Sequence, residues 1–199
     1  MTLLAAGLIL FVVVHSLRIF ADDWRSQMLA RLGPNAWKGI ISVISLVGII
    51  MMSKGYAAAR AAPIVLWQSP VWLSHLVSLL TLVAFILFVA AYIPKNKIKF
   101  RLGHPMVISV KIWAFGHLLA NGTLADLVLF GGLLAWAVMS FRAARQRDRR
   151  EGTVRPAGAM GQTLAAIGLG SVIWALPGVR ETRTYAVMEE VKLSHALPL

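Results

Sequence analysis

Apolar residues in this chain run in long blocks, and the polar residues gather between them. Six blocks stand out, at about residues 2–20, 37–55, 71–93, 105–121, 123–142 and 158–176. Each is roughly 17–22 residues, the length a helix needs to cross ~30 Å of hydrocarbon. Inside a bilayer a helix is favoured because it satisfies every backbone group within its own segment. The pattern therefore predicts an all-α fold, a polytopic membrane helical bundle of about six transmembrane helices. Residues 1–178 form the transmembrane domain in this reading, and 179–199 a polar C-terminal tail.

The connecting segments carry their own signals. After the first block, RIFADDWRSQMLARLG alternates charge with Ile19, Phe20, Trp24, Met28, Leu29 and Leu32, which predicts a short interfacial amphipathic stretch. Gly33-Pro34-Asn35 breaks it. Ser42, Ser45 and Ser53 lie along one side of the second span. KGYAAARAAPIVLWQSP reads as a loop or partial turn, and KNKIKFRLGHP as a basic loop whose Pro105 suits the first turn of the fourth span. Thr123 to Asp126 looks like a capping box opening the fifth. RAARQRDRREGTVRP reads as a charged loop, and no internal repeat is visible. The N-terminus lacks a basic residue ahead of its apolar run and an A-x-A-like site after it, so the first block is read as a retained span.

Composition agrees with this picture. Hydrophobic residues make up 58% of the 199 positions and charged residues 14%, against ~45–50% and ~25% in soluble domains. The absence of cysteine excludes disulfides, iron–sulfur clusters, thiolate zinc sites, thioether-attached haem and cysteine nucleophiles. A net charge of +12 would point to nucleic acid in a soluble protein. Here the basic residues flank the apolar blocks, where orientation and anionic headgroups account for them, and no nucleic-acid motif accompanies them. The segments after spans one, three and five hold Arg18, Arg25, Arg31, Lys38; Lys95, Lys97, Lys99, Arg101; and Arg142, Arg145, Arg147, Arg149, Arg150, Arg155. The opposite side has only Lys54, Arg60, Arg180, Arg183 and Lys192. By the positive-inside rule those three segments are cytoplasmic and both termini are periplasmic, in a multi-pass protein.

An ionisable group inside a span costs ~2.5 kcal/mol or more, so each one calls for an explanation. His15 lies among apolar residues of the first span, either bonded to a neighbouring helix or acting as a ligand. Trp113, His117 and Asn121 fall one turn apart on the fourth span. Gly116 and Ala120 beside them make a small-residue face open to a flat cofactor or to another helix. His104, before Pro105, reads as a helix-start or headgroup contact, His75 as interfacial, and His195 as solvated. Lys111 fits snorkelling and Asp126 a helix cap. Trp24, Trp37, Trp67 and Trp72 fit interfacial belts. There is no HExxH, P-loop, GxSxG or pair of carboxylates.

The stretches HSLRIF, RLGPNAWKGIISVISLVGIIMMSKGY and GHPMVISVKIWAFGHLLANGTLADLVLFGGLLAW resemble the NnrU family of bacterial membrane proteins. The segment from His104 to Gly122 is the most specific part, and the resemblance loosens beyond Trp136. It implies a link to nitrite and nitric oxide reduction in denitrification. The family is related to 15-cis-ζ-carotene isomerase, a membrane bundle that holds haem b through two histidines. That relationship implies haem b here, with His15 and His117 as the iron's axial ligands and His104 as a further family histidine. Ala114 stands where the isomerase has a cysteine. Counted along the spans, His15 sits toward the cytoplasmic side and His117 toward the outer side, ~10 Å apart in depth. A His75–His117 pair has better matched depth.

Three classes of function follow. One is a haem-b protein supporting nitrogen-oxide respiration, with a nitrogen-oxide reductase as partner. Another is a haem-dependent cis–trans isomerase acting on a polyene. The third is a cofactor-free assembly or scaffold protein whose histidines bond between helices.

Overall fold

A computed structural model describes residues 1–177 and 179. Its helices are α1 (Thr2–Phe20), α2 (Asp22–Arg60), α3 (Leu73–Tyr92), α4 (Lys97–Leu102), α5 (Pro105–Ala120), α6 (Leu124–Glu151) and α7 (Met160–Ala175). Among the described residues there is no strand, only two isolated bridges, Val65–Thr123 and Asn96–Ala159. Four helices, α1, α2, α3 and α6, are long and apolar enough to cross a membrane, while α5 and α7 are apolar but have 16 residues each. All six apolar blocks are therefore helical, and four of them reach span length.

Several boundaries differ from the sequence reading. The amphipathic stretch and the second block join into one 39-residue helix interrupted at Gly33, whose φ of 78° and ψ of 162° are not helical. Glycine reaches that conformation without a Cβ penalty, and Pro34 then restarts the helix with a preset φ. Helix α2 runs on to Arg60, so KGYAAAR is helical and only the segment after it is a connection. The basic loop after α3 contains α4, capped by Asn96, whose side chain accepts from Lys99 N. Two thirds of the charged loop after the fifth block is helix as well, because α6 continues to Glu151 before Gly152 ends it. The tail from 180 onward, with His195, lies outside the described residues.

The chain forms two compact units. The first contains residues 1–68 and 121–153, that is α1, α2 and α6. The second contains residues 69–120 and the described residues from 154 onward, with α3, α4, α5 and α7.

In the first unit α1 and α2 run antiparallel, backbone against backbone. A Cβ added at Gly55 would lie 2.3 Å from Leu4 N, and one at Gly7 would lie 2.7 Å from Met52 N. The buried face of α2 is Gly48, Met52 and Gly55, whereas Ser42 and Ser53 are exposed. The serine stripe thus faces outward, and small residues make the contact, the usual route to close helix approach in lipid. Helix α6 runs parallel to α1, with Gly132 at Leu8 and Trp136 at His15. Its first turns include a π-helical segment, Leu127–Gly131, which places Phe130 in the interior. At the far end Arg147 reaches the Arg18 carbonyl at 3.5 Å. A clasp closes the other end: Leu66 N and Trp67 N donate to Gly122 O, and Leu124 N donates to Ile64 O.

In the second unit α3 packs on α5 and α7. Gly116 of α5 meets Leu80 and Val77 of α3 at ordinary contact distance, and Gly170 of α7 meets the Ile86 backbone closely. Asn96 is fully buried and fully used. Its amide donates to Ala90 O and Ile93 O, closing the end of α3. Ala159 N donates to Lys95 O and Lys97 N to Thr163 Oγ1, which fastens the start of α7 there. Gly103 has a φ of 77°, and the Arg155 guanidinium stands where its Cβ would be, so that turn admits no side chain.

Candidate functional site

In the first unit His15 is half-buried, about one turn beyond the middle of an apolar helix. Its Nδ1 bonds the Phe11 carbonyl one turn back at 2.8 Å. The imidazole stacks on the Phe11 ring at 4.0 Å and meets the edge of Trp136 at 5.8 Å. A proton on Nδ1, donated to that carbonyl, leaves Nε2 as the basic nitrogen, the arrangement common to metal-ligating histidines.

Next to this ring lie three buried polar atoms with no hydrogen-bond partner among the described residues: Ser16 Oγ, Trp136 Nε1 and Ser140 Oγ. Ser16 is 6% exposed and Ser140 9%. Ser140 follows Trp136 by one helical turn, and the parallel register of α1 and α6 sets Ser16 at the same level. Ser45 and Ser109, by contrast, bond carbonyls of their own helices, those of Ile41 and Met106. Unpaired buried polar atoms are uncommon and costly, more so without water.

A second polar group in this unit was only half visible in the sequence. Asp126 is 3% exposed and caps α6 in a capping box with Thr123, as its spacing predicts. Its carboxylate also accepts from the Thr123 hydroxyl at 2.6 Å and from Tyr56 Oη at 2.5 Å. Tyr56 lies beyond the predicted second span, and no short-range motif links it to a residue 70 positions later. The ring of Phe130, from the π-helical segment, stands edge-on to Tyr56 at 6.2 Å.

The second unit holds His75, His104 and His117. His117 and Trp113 are one turn apart on α5, with ring centroids at 4.8 Å. Helix α5 ends at Ala120, so Asn121 lies one residue past it, where the contacts group it with the first unit. The small face at Gly116 is taken by α3 rather than left open. On another side of Trp113 lies a cavity of about 320 Å³, lined by Ala84, Phe85, Phe88, Ser109, Val110 and Trp113. Its wall is almost wholly apolar.

His75 is exposed in the first turn of α3, two residues before Val77, which is 2% exposed against α5. Two residues turn about 200° around a helix, so His75 points away from the α5 contact although its level suits His117. His104 is half-buried at the start of α5, and Arg155 Nη2 lies 3.4 Å from its Nε2. Among the described residues no group of three or more His, Asp or Glu is placed to hold a metal ion. A haem iron asks less, because the porphyrin supplies four of its ligands and the protein one or two. His15, with Nδ1 pinned and Nε2 basic, fits that demand, as does an imidazole beside a tryptophan at His117.

These elements define an all-helical protein with several membrane-spanning helices. Within that class the chain belongs to the NnrU family: the family model described as NnrU protein matches residues 3–179. No curated protein and no solved structure matches it.

Proposed function

We propose that this NnrU-family membrane protein binds haem b in the bacterial inner membrane and supports nitrite and nitric oxide reduction. The observation that carries the reading is the His15–Phe11 hydrogen bond, which fixes one imidazole tautomer inside an apolar span. His15 and His117 are the ligands in this reading, as the family resemblance implies, with Trp113 beside the second. Bound haem would supply one-electron chemistry, with two neutral imidazoles giving a low-spin iron whose potential the apolar helices tune. The residues of the chain hold and orient: Phe11 O pins the first ring, and Trp136 and Trp113 restrict the two rings sideways.

The reading includes six spans with both termini periplasmic. Its support is that basic segments gather at one end of each unit. Arg147 meets the end of α1 in the first. In the second, Arg155 meets Gly103 and His104, and Ala159 meets Lys95. Helices α5 and α7 reach roughly 24 Å at 1.5 Å per residue, so non-helical flanks or a thinned bilayer complete their crossing. Reporter fusions after Gly152 read cytoplasmic, and fusions at Gly122 or the C-terminus periplasmic; export of the Gly152 fusion would refute six spans.

The test of the haem reading is an absorption spectrum of detergent-purified protein expressed with haem supplied. The expected spectrum has a low-spin Soret band that His15→Ala and His117→Ala each shift or abolish. His195→Ala leaves it unchanged, and His104→Ala leaves it near wild type. Loss at His75 and His117 instead would move the pair to the depth-matched alternative. No Soret band in the wild type leaves the scaffold reading.

A second reading, cis–trans isomerisation of a polyene, has one observation in its favour, the apolar cavity beside Trp113. At about 320 Å³ it is near the lower end of ligand pockets and takes only a segment of a long polyene. Conversion of supplied 15-cis-ζ-carotene by the haem-loaded protein supports it, and unchanged substrate excludes that reaction.

A further inference from the structure

Where α6 leaves the apolar part of its path, it carries Phe141, Arg142, Arg145, Gln146 and Arg149 on one face. These five side chains line a cleft of about 300 Å³. Spacings of three and four residues put the three arginines in one row along the helix. The opposite face of α6 is the packed one, with Ala137, Ser140 and Ala144 buried, so the row faces away from the unit's interior. The basic residues nearby have other uses: Arg147 bonds the Arg18 carbonyl, and Arg155 meets His104.

Three guanidiniums converge on one cleft with a phenylalanine at its apolar edge. A guanidinium offers a planar fork of donors that matches a phosphate's oxygens two at a time. The cleft begins where the apolar run of α6 gives way to charge, the depth at which phospholipid phosphates lie. We infer that Arg142, Arg145 and Arg149 form a binding site for the phosphodiester headgroup of an anionic phospholipid, with Phe141 against the start of its acyl chains. The inference is independent of haem. It goes beyond the orienting effect of positive charge, which any basic segment on that side would supply equally.

That contrast sets the test. Full-length protein is purified in mild detergent, mixed with equal phosphatidylglycerol and phosphatidylcholine, and retained lipid is counted by native mass spectrometry. Wild type is expected to retain phosphatidylglycerol at least ~10-fold over phosphatidylcholine. Arg142→Gln/Arg145→Gln/Arg149→Gln should lose that preference, whereas Lys95→Gln/Lys97→Gln/Arg101→Gln, with the same change of charge, should keep it. Arg145→Gln alone, expected to lose ~3-fold with an unchanged helical circular dichroism spectrum, covers the case in which the triple variant does not fold. Equal loss in the two triple variants would reduce the effect to general charge and overturn the site. So would unchanged retention in the α6 variants. Complete displacement of the lipid by 10 mM inorganic phosphate would reassign the cleft to a free anion and overturn the lipid as its occupant.

Discussion

Around His15 the ring is pinned by a carbonyl, yet three buried polar atoms beside it have no partner among the described residues. Around Trp113 and His117 packing provides for what is there: Ser109, one turn before Trp113, bonds Met106 O, and the small face at Gly116 is filled by α3. Both neighbourhoods place an imidazole against a tryptophan on apolar helices. They differ in what packing explains. The features near His117 that sequence offered to a flat cofactor are accounted for by helix contact. Those near His15, unremarkable in the sequence, carry a polar cost that helix contact does not repay.

The packing side of this contrast gives the largest expected effect. Gly55→Ala puts a methyl against the Leu4 backbone at 2.3 Å, and a backbone contact cannot swing aside. We expect a loss of about 3 kcal/mol or more, or no folded protein, read as the thermal midpoint in detergent. Gly116→Ala meets only ordinary contacts at 3.5 Å and should be tolerated, while Gly116→Leu should cost about 1–3 kcal/mol. Equal damage from the two alanine substitutions would erase the distinction between the units.

Tyr56→Phe comes next. It removes one donor from a carboxylate that is 3% exposed, at an expected cost of about 1.5–3 kcal/mol. A chemical-unfolding series on the purified variant measures it, and a change below 0.5 kcal/mol, on the order of surface substitutions, would make the bond incidental.

The smallest effects sharpen the comparison most. Ser109→Ala removes a made hydrogen bond and should cost roughly 1 kcal/mol. Ser16→Ala and Ser140→Ala remove hydroxyls that have no partner, so each should fall within about 0.5 kcal/mol of wild type or above it. The same unfolding series reports all three. A loss above about 1 kcal/mol at Ser16 or Ser140 would mean that a bound molecule engages those hydroxyls.

The apolar blocks made the helices legible, since one-dimensional runs of hydrophobicity are all that a span requires. The Thr123–Asp126 cap and the Gly33-Pro34 break were readable for the same local reason. What escaped was set by partners distant in sequence. Tyr56 finds Asp126, Gly55 finds Leu4, and α6 returns to α1 while α7 returns to α3. In a span that is apolar on every side, periodicity does not say which face meets protein and which meets lipid. The exposed Ser42 and Ser53 and the buried Gly48 and Gly55 illustrate this. Helix α6 ran past its expected end because Arg142 to Arg150 favour helix well enough once outside the bilayer.

The alternation of the chain between its two units has a consequence for biogenesis. Synthesis delivers α1 and α2, then α3 to α5, before α6 emerges to complete the first unit and α7 the second. Neither unit has all its helices while the ribosome is short of residue 124, and the second still waits for Met160. Gly122 reaches the Leu66 and Trp67 amides only after more than fifty intervening residues have been synthesised. A nascent chain stalled at that point holds two unfinished helix groups at the same time, and a gene split between Ile93 and Thr123 yields fragments that must find each other to finish either one.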